Sequence, residues 1–231
     1  MAIITIKRKT VIIFLSIVLA AIVAGATAAT VIVSVRADNG ITIVLDAGHG
    51  GADGGVVGAA TGTKESDINL SITKYLKKYL QGGGYNVVLT RSDGGAVGKG
   101  IKYNKKEDMR ARREIVESAA PDLVISIHCN SYPLASVCGA QVFYASDSTQ
   151  GQTAATAVQG YFNDVLNGKP RSAAVGDYYI LNCSKYTSIL CECGFLSNYE
   201  EENKLIGASY QEKVAYTIYT AVNSLFNDER A

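Results

Sequence analysis

The chain has 231 residues, 48% of them hydrophobic and 19% charged, with only 3 prolines. This excludes a disordered polar chain and a long proline-rich linker, and it suits one ordinary domain plus an appendage. The formal net charge of +1 conceals an asymmetry: Lys7, Arg8, Lys9 and Arg36 put four of the 22 basic residues into the first 36 positions, leaving 18 against 21 acidic ones in the remainder. A mildly acidic body neutralises phosphates poorly, which argues against nucleic acid as a partner.

From Thr10 to Val35 the chain runs for 26 residues without a charge, behind the basic flank Lys7-Arg8-Lys9. At roughly 1.5 Å per residue a helix of that length exceeds the ~30 Å hydrocarbon core, so residues 10–35 are expected to form a transmembrane signal-anchor. The basic flank 1–9 is then cytoplasmic, 36–40 is a linker, and residues 41–231 lie outside the cytoplasm. A cleaved signal peptide is the alternative, because Ala24-Gly25-Ala26 and Ala26-Thr27-Ala28 both match a small-x-small cleavage pattern, and the domain would then be secreted. A buried core helix rarely runs this long without a polar face.

In the remainder, Ile41 to Leu45 is a β-branched run that stops at Asp46-Ala47-Gly48-His49-Gly50-Gly51, which predicts a buried strand entering a glycine loop. Ile68, Ile72, Leu76 and Leu80 recur every four residues from Glu65 until Gly82-Gly83-Gly84, as on an amphipathic helix. Strands are predicted at Asn86–Thr90 and Asp122–Ile127, with a helix between them that begins in the charged stretch Lys105 to Arg113 and ends near Ala119. A strand at Gln141–Tyr144, a helix at Thr149–Leu166, short strands at Tyr178–Leu181 and Ser188–Cys191, and a helix at Tyr210–Phe226 complete the series. Alternating elements of these lengths predict a single α/β domain with a largely parallel central sheet flanked by helices. The five cysteines, at 129, 138, 183, 191 and 193, lack zinc-ribbon spacing. They read as small buried apolar residues, with a Cys129–Cys138 disulfide as an open alternative.

The chain has only two histidines, and His49 and His128 each fall just beyond the carboxyl end of a predicted strand, where open α/β sheets form their ligand crevice. Glu192 follows the strand Ser188–Cys191 onto the same edge, and Glu65 opens the helix after the glycine loop. Two imidazoles and a carboxylate that leave one position open describe a catalytic zinc site, and a further carboxylate can serve as general base. Each residue also has a plainer explanation. A loop histidine is commonly a surface residue, and Glu65 suits the dipole of a helix N-terminus. Glu192, behind an apolar run, would be costly to bury alone. Asp46, Asp53 and Asp67 stay open as alternative carboxylate ligands. The glycines beside His49 either allow tight backbone near a metal or belong to an ordinary loop.

Four strings carry a resemblance: Ile43-Val44-Leu45-Asp46-Ala47-Gly48-His49-Gly50-Gly51, Lys64-Glu65-Ser66-Asp67-Ile68-Asn69-Leu70, Ser126-Ile127-His128-Cys129-Asn130-Ser131 and Glu192-Cys193-Gly194-Phe195-Leu196-Ser197-Asn198. In this order, over about residues 41 to 226, the sequence resembles the zinc-dependent N-acetylmuramoyl-L-alanine amidases. Within that family it is most similar to the germination-specific, spore-cortex members. The resemblance implies Zn2+ held by His49, Glu65 and His128, with Glu192 as catalytic acid or base, and assigns no substrate-binding residue. It further implies a peptidoglycan substrate cut between N-acetylmuramic acid and L-alanine, in the cortex as a step toward muramic-δ-lactam. No wall-binding repeat or site-blocking inserted helix is recognisable, so control is expected from an accessory protein or from timing of expression. Two other functions fit the same residues: an inactive peptidoglycan-binding module, and a zinc deacetylase or carboxypeptidase on the same polymer.

Overall fold

The β-branched runs form the centre of a six-stranded sheet in the computed structural model, which describes residues 38–98 and 103–228. The expected flank 1–9 and anchor 10–35 lie outside the described residues, and among those described no helix is long and apolar enough to cross a membrane. The strands are β1 (Thr42–Ala47), β2 (Asn86–Leu89), β3 (Leu123–Asn130), β4 (Gln141–Tyr144), β5 (Ala174–Val175) and β6 (Ser188–Phe195). Their order is β2-β1-β3-β6-β4-β5, parallel throughout except that β4 runs antiparallel to β6. The helices are α1 (Glu65–Gly82), α2 (Lys105–Ala119), α3 (Thr149–Val165), α4 (Tyr179–Asn182), α5 (Tyr199–Leu205) and α6 (Ala208–Asp228). The described residues fall within one compact unit, so the expected single α/β domain with a mostly parallel sheet is present.

Alternation along the strands divides two layers. Ile43 and Leu45 of β1, Leu123, Ile125 and Ile127 of β3, and Ile189 and Cys191 of β6 face one way. They meet Ile68, Ile72, Leu76 and Leu80 of α1, Val158 and Phe162 of α3, and Val214, Ile218 and Val222 of α6 in the main core. The opposite face is covered more thinly. There Val44 and Val124 pack on Val116 of α2, and Leu190 packs on Ile180 and Leu181 of α4. By the same period Asp46, Ser126, His128 and Glu192 belong to this second face.

Four sequence expectations change. Tyr178–Leu181 is not a strand, since Tyr179–Asn182 forms one helical turn; an apolar run of four residues carries no period that separates the two. The two-residue β5 and the charged helix α5 were absent from the reading, although Asn198 accepts from the Glu201 amide at 3.0 Å as a helix cap does. Strands β3 and β6 run past their expected ends to Asn130 and Phe195, through a register irregularity between His128 and Asn130. His128 and Glu192 therefore lie within strands and not beyond them. No disulfide is present among the described residues: Cys129 turns into the core while Cys138 is exposed.

The second face carries a buried charge cluster. Arg112 of α2, 1% exposed, donates to Asp46 Oδ1 at 2.5 Å and to Asp108 Oδ2 at 2.8 Å. Thr90 Oγ donates to Asp46 Oδ1 at 2.8 Å and Ser126 Oγ to Asp46 Oδ2 at 2.6 Å. Burial alone would raise the Asp46 pKa, but Arg112 and the Ser126 and Thr90 hydroxyls outweigh it and hold the carboxyl down at about 2, against an ordinary 3.8. The pair's contribution is thus fully present above pH 3.8 and is lost as the pH falls toward 2. A group so depressed contributes about 2 kcal/mol at neutral pH. Urea unfolding of Asp46→Asn should show at least that loss at pH 7, because Arg112 is left buried with Asp108 alone to meet its charge, and a flatter stability curve below pH 4. Unchanged stability at pH 7 would refute the assignment.

Candidate metal centre

β1 delivers the chain to Gly48 and then to His49, whose backbone is left-handed at φ +61°. That conformation is unfavourable for a residue with a Cβ. It is braced by Arg112, which donates from Nη2 to the His49 carbonyl at 2.6 Å and from Nη1 to that of Ala47 at 2.9 Å. Arg91 adds Nε to the Ala47 carbonyl and Nη2 to the Gly48 carbonyl, both at 2.9 Å, and Nη2 to the Ser66 carbonyl at 2.8 Å. The loop is therefore tied to β2 and to the start of α1.

Glu65, the first residue of α1, is 2% exposed. Its Oε1 lies 2.9 Å from His128 Nδ1 and accepts from the Cys129 amide at 3.1 Å and Asn69 Nδ2 at 3.0 Å. Its Oε2 lies 3.2 Å from His49 Nε2 and accepts from the Val56 amide at 2.9 Å. Burial pushes this carboxyl up, but the flanking imidazoles overcome that and hold it well below the usual carboxylate range. The two imidazole rings stand edge to face with centroids 5.0 Å apart.

His49, Glu65 and His128 each offer one ligand atom, and these atoms lie within 4.8 Å of one another, the only such group of three among the described residues. Two imidazole nitrogens and one carboxylate oxygen suit a zinc ion, which takes such donors at about 2.0–2.2 Å. The backbone leaves room for little else. A Cβ at Gly48 would stand 2.3 Å from the His128 ring, and one at Gly55, where φ is +68°, would stand 2.4 Å from Glu65 Oε2. The glycines are thus required by close approach.

Glu192 pairs with His128 in the parallel β3–β6 register, which sets the two side by side on the second face. It is 6% exposed and its Oε2 has no hydrogen-bond partner. Burial and, secondarily, the charge of Glu65 push its pKa up to about 7, against the opposing pull of the two imidazoles. All four residues line one cleft of about 680 Å³, together with Tyr103, Lys105 and Met109 from the α2 side and Asp177, Tyr178 and Tyr179 from the α4 side.

The other candidates fall elsewhere. Asp46 is consumed by Arg112, and Asp67 is exposed on the first turn of α1. Asp53 lies beside His49 and not in the ligand group, with Oδ1 3.0 Å from Nδ1. Arg112, Arg91 and Asn69 were not anticipated. A polar residue at i+4 from Glu65 was the one available signal for Asn69.

A match to the family described as N-acetylmuramoyl-L-alanine amidase covers residues 43–224. The germination-specific N-acetylmuramoyl-L-alanine amidase of Bacillus subtilis (strain 168) is 34% identical over 197 residues, spanning 83% of this chain and 82% of that protein. The structure of the CwlD amidase from Clostridioides difficile in complex with the GerS lipoprotein superposes with a TM-score of 0.78 at 34% identity, covering 81% of this chain and 98% of that one. An N-acetylmuramoyl-L-alanine amidase from Clostridium difficile 630 gives 0.73 at 28% identity, over 81% and 97% of the two chains.

Gly48→Ala tests the cradle. The new methyl group must displace the His128 ring, so zinc affinity should fall by on the order of tenfold or more. Because φ at Gly48 is not positive, the thermal midpoint should move little. Unchanged zinc uptake would show that the ring position is not needed.

Proposed function

The chain belongs to the N-acetylmuramoyl-L-alanine amidase family, and from that membership we propose that His49, Glu65 and His128 hold one zinc ion while Glu192 moves the proton. The enzyme hydrolyses peptidoglycan at the amide between N-acetylmuramic acid and L-alanine. The observation that carries the site assignment is the convergence of three ligand atoms in the cleft that also holds the unpartnered carboxylate oxygen of Glu192. Bound there, zinc would supply Lewis acidity to water and to the scissile carbonyl. Glu192 accepts a proton from the attacking water and returns it to the departing L-alanine nitrogen. That return is required, since an unprotonated amide nitrogen leaves poorly. A pKa near 7 suits a group that must both accept and donate.

The similarity to a germination-specific amidase supports a role in the spore cortex, where the cut precedes muramic-δ-lactam. A solved relative in complex with a lipoprotein supports an accessory protein as partner. The run of 26 uncharged residues supports an anchor that keeps the catalytic domain outside the cytoplasm, or a secreted domain if that segment is cleaved.

Two isosteric variants separate the roles. Glu192→Gln should retain zinc while release of L-alanine-terminated peptides from peptidoglycan, read by mass spectrometry, falls by on the order of 10²-fold or more. Glu65→Gln should lose zinc itself, since a neutral amide is a poorer ligand than a carboxylate. Equal zinc loss in both would place Glu192 in the coordination sphere. Near-normal hydrolysis by Glu192→Gln would remove it as proton carrier.

A further inference from the structure

The zinc assignment leaves open what makes His49 present Nε2, and not Nδ1, toward Glu65. A neutral imidazole carries one donor and one acceptor nitrogen, so its outward partner decides which nitrogen keeps a lone pair. That partner is Asp53, with Oδ1 3.0 Å from His49 Nδ1. The Asp53 carboxylate is itself held: Oδ1 accepts from the Gly55 amide at 3.1 Å, and Oδ2 accepts from Tyr103 Oη at 3.0 Å. Asp53 also closes the turn to Gly50 through its backbone, with the Gly50 amide donating to its carbonyl at 2.8 Å and its own amide donating back at 3.1 Å, so within the loop its side chain is drawn on only by the Gly55 amide. With the Gly55 amide and the Tyr103 hydroxyl already donating to its two oxygens, Asp53 is placed to accept from His49 Nδ1 and not to serve as a ligand. Tyr103 stands just before α2, the helix whose Arg112 grips the His49 carbonyl. The helix and the residue just before its cap thus reach His49 separately, at the backbone through Arg112 and at the ring through Tyr103 and Asp53.

We propose that Asp53 is a positioning residue that fixes the His49 ring with Nδ1 protonated and the Nε2 lone pair free for the metal, and that Tyr103 holds Asp53 to that task. The inference rests on the zinc reading above. An ionised carboxylate can only accept, so it selects the tautomer and makes the opposite nitrogen a better ligand. Tyr103 acts solely through Asp53. Removing the tyrosine hydroxyl frees the carboxylate to turn toward solvent, and nothing else about the ligand set changes.

The test is a double-mutant cycle on the full chain, read as zinc affinity by competition against a chromogenic chelator, with His128→Ala as the benchmark for a lost ligand. Asp53→Ala should weaken zinc by about 10–100-fold, and Tyr103→Phe by about 2–10-fold. The double variant should bind no more weakly than Asp53→Ala alone, because both changes cut the same link. A general structural role would instead lower the thermal midpoint of Tyr103→Phe and leave its zinc affinity alone. If His128→Ala loses zinc while Asp53→Ala binds it like the wild type, this inference is overturned and the metal assignment stands. A Tyr103→Phe effect that persists in full on the Asp53→Ala background overturns the link through Asp53. Should Asp53→Ala fail to fold, Tyr103→Phe carries the test alone, and unaltered affinity there is likewise a refutation. A wild-type chain that takes up no zinc overturns the metal assignment and this inference with it.

Discussion

The site depends on one buried guanidinium. Arg112 takes Asp46 and Asp108 on its nitrogens and gives two further donors to the carbonyls of Ala47 and His49. An arginine withdrawn from water is tolerable only when its charge is met and its nitrogens find partners, and here two carboxylates meet the charge and all three nitrogens are hydrogen-bonded. The result couples three levels of structure. Asp46 belongs to β1, Asp108 and Arg112 to α2, and His49 to the loop that carries an imidazole into the cleft. The left-handed backbone at His49 costs free energy in isolation, and the hydrogen bond at its carbonyl helps to offset that cost.

Placement of the site follows from unequal coverage of the sheet. One face packs three long helices, α1, α3 and α6, against a continuous apolar layer. The other carries α2 and the single turn α4, and the cleft is lined from both, by Lys105 and Met109 of α2 and Tyr179 of α4. Residues whose side chains must meet both protein and solvent can only occupy the thinner face. Period-two alternation puts Asp46, Ser126, His128 and Glu192 there without any loop to carry them. α1 crosses on the thick side, yet its first residue, Glu65, reaches the site from the helix end. Glu65 from the thick layer thus meets two histidines, one on β3 and one on the loop after β1.

What the sequence disclosed tracks the strength of local periodicity. Strand β1 and helix α1 announce themselves through an unbroken apolar run and a four-residue repeat, and both the histidine after β1 and Glu65 at the start of α1 were placed by those signals. The turn at Tyr179–Asn182 had no such signal, because its apolar pair Ile180–Leu181 satisfies a strand and a helix equally. Strand ends were underestimated at His128 and Glu192, since a polar residue in a buried strand looks like a terminus until a neighbouring strand supplies its partner. Arg112 was the hardest to foresee. On α2 it is one of three arginines, Arg110, Arg112 and Arg113, that each pair with an acid four residues away, so nothing local distinguishes the one that turns inward from those that face solvent. Only the acid at position 46, far away in sequence, makes that difference.

The same chain places two glutamates in one cleft and drives them in opposite directions. Glu65 is surrounded by donors, two of them backbone amides whose position is fixed by β3 and by the loop at Val56, so its charge is favoured despite burial. Glu192 is nearly as buried, but one carboxylate oxygen has no donor, and the charge on Glu65 adds to the penalty of ionising it. Separation of this kind is what two carboxylates with different tasks require. A group held permanently ionised can serve as a ligand or an electrostatic anchor but cannot trade protons near neutrality, whereas one poised near 7 can. A cation bound by Glu65 would pull Glu192 down from that value, since opposite charge favours the ionised form. The two carboxylates are therefore coupled through whatever occupies the space between the histidines.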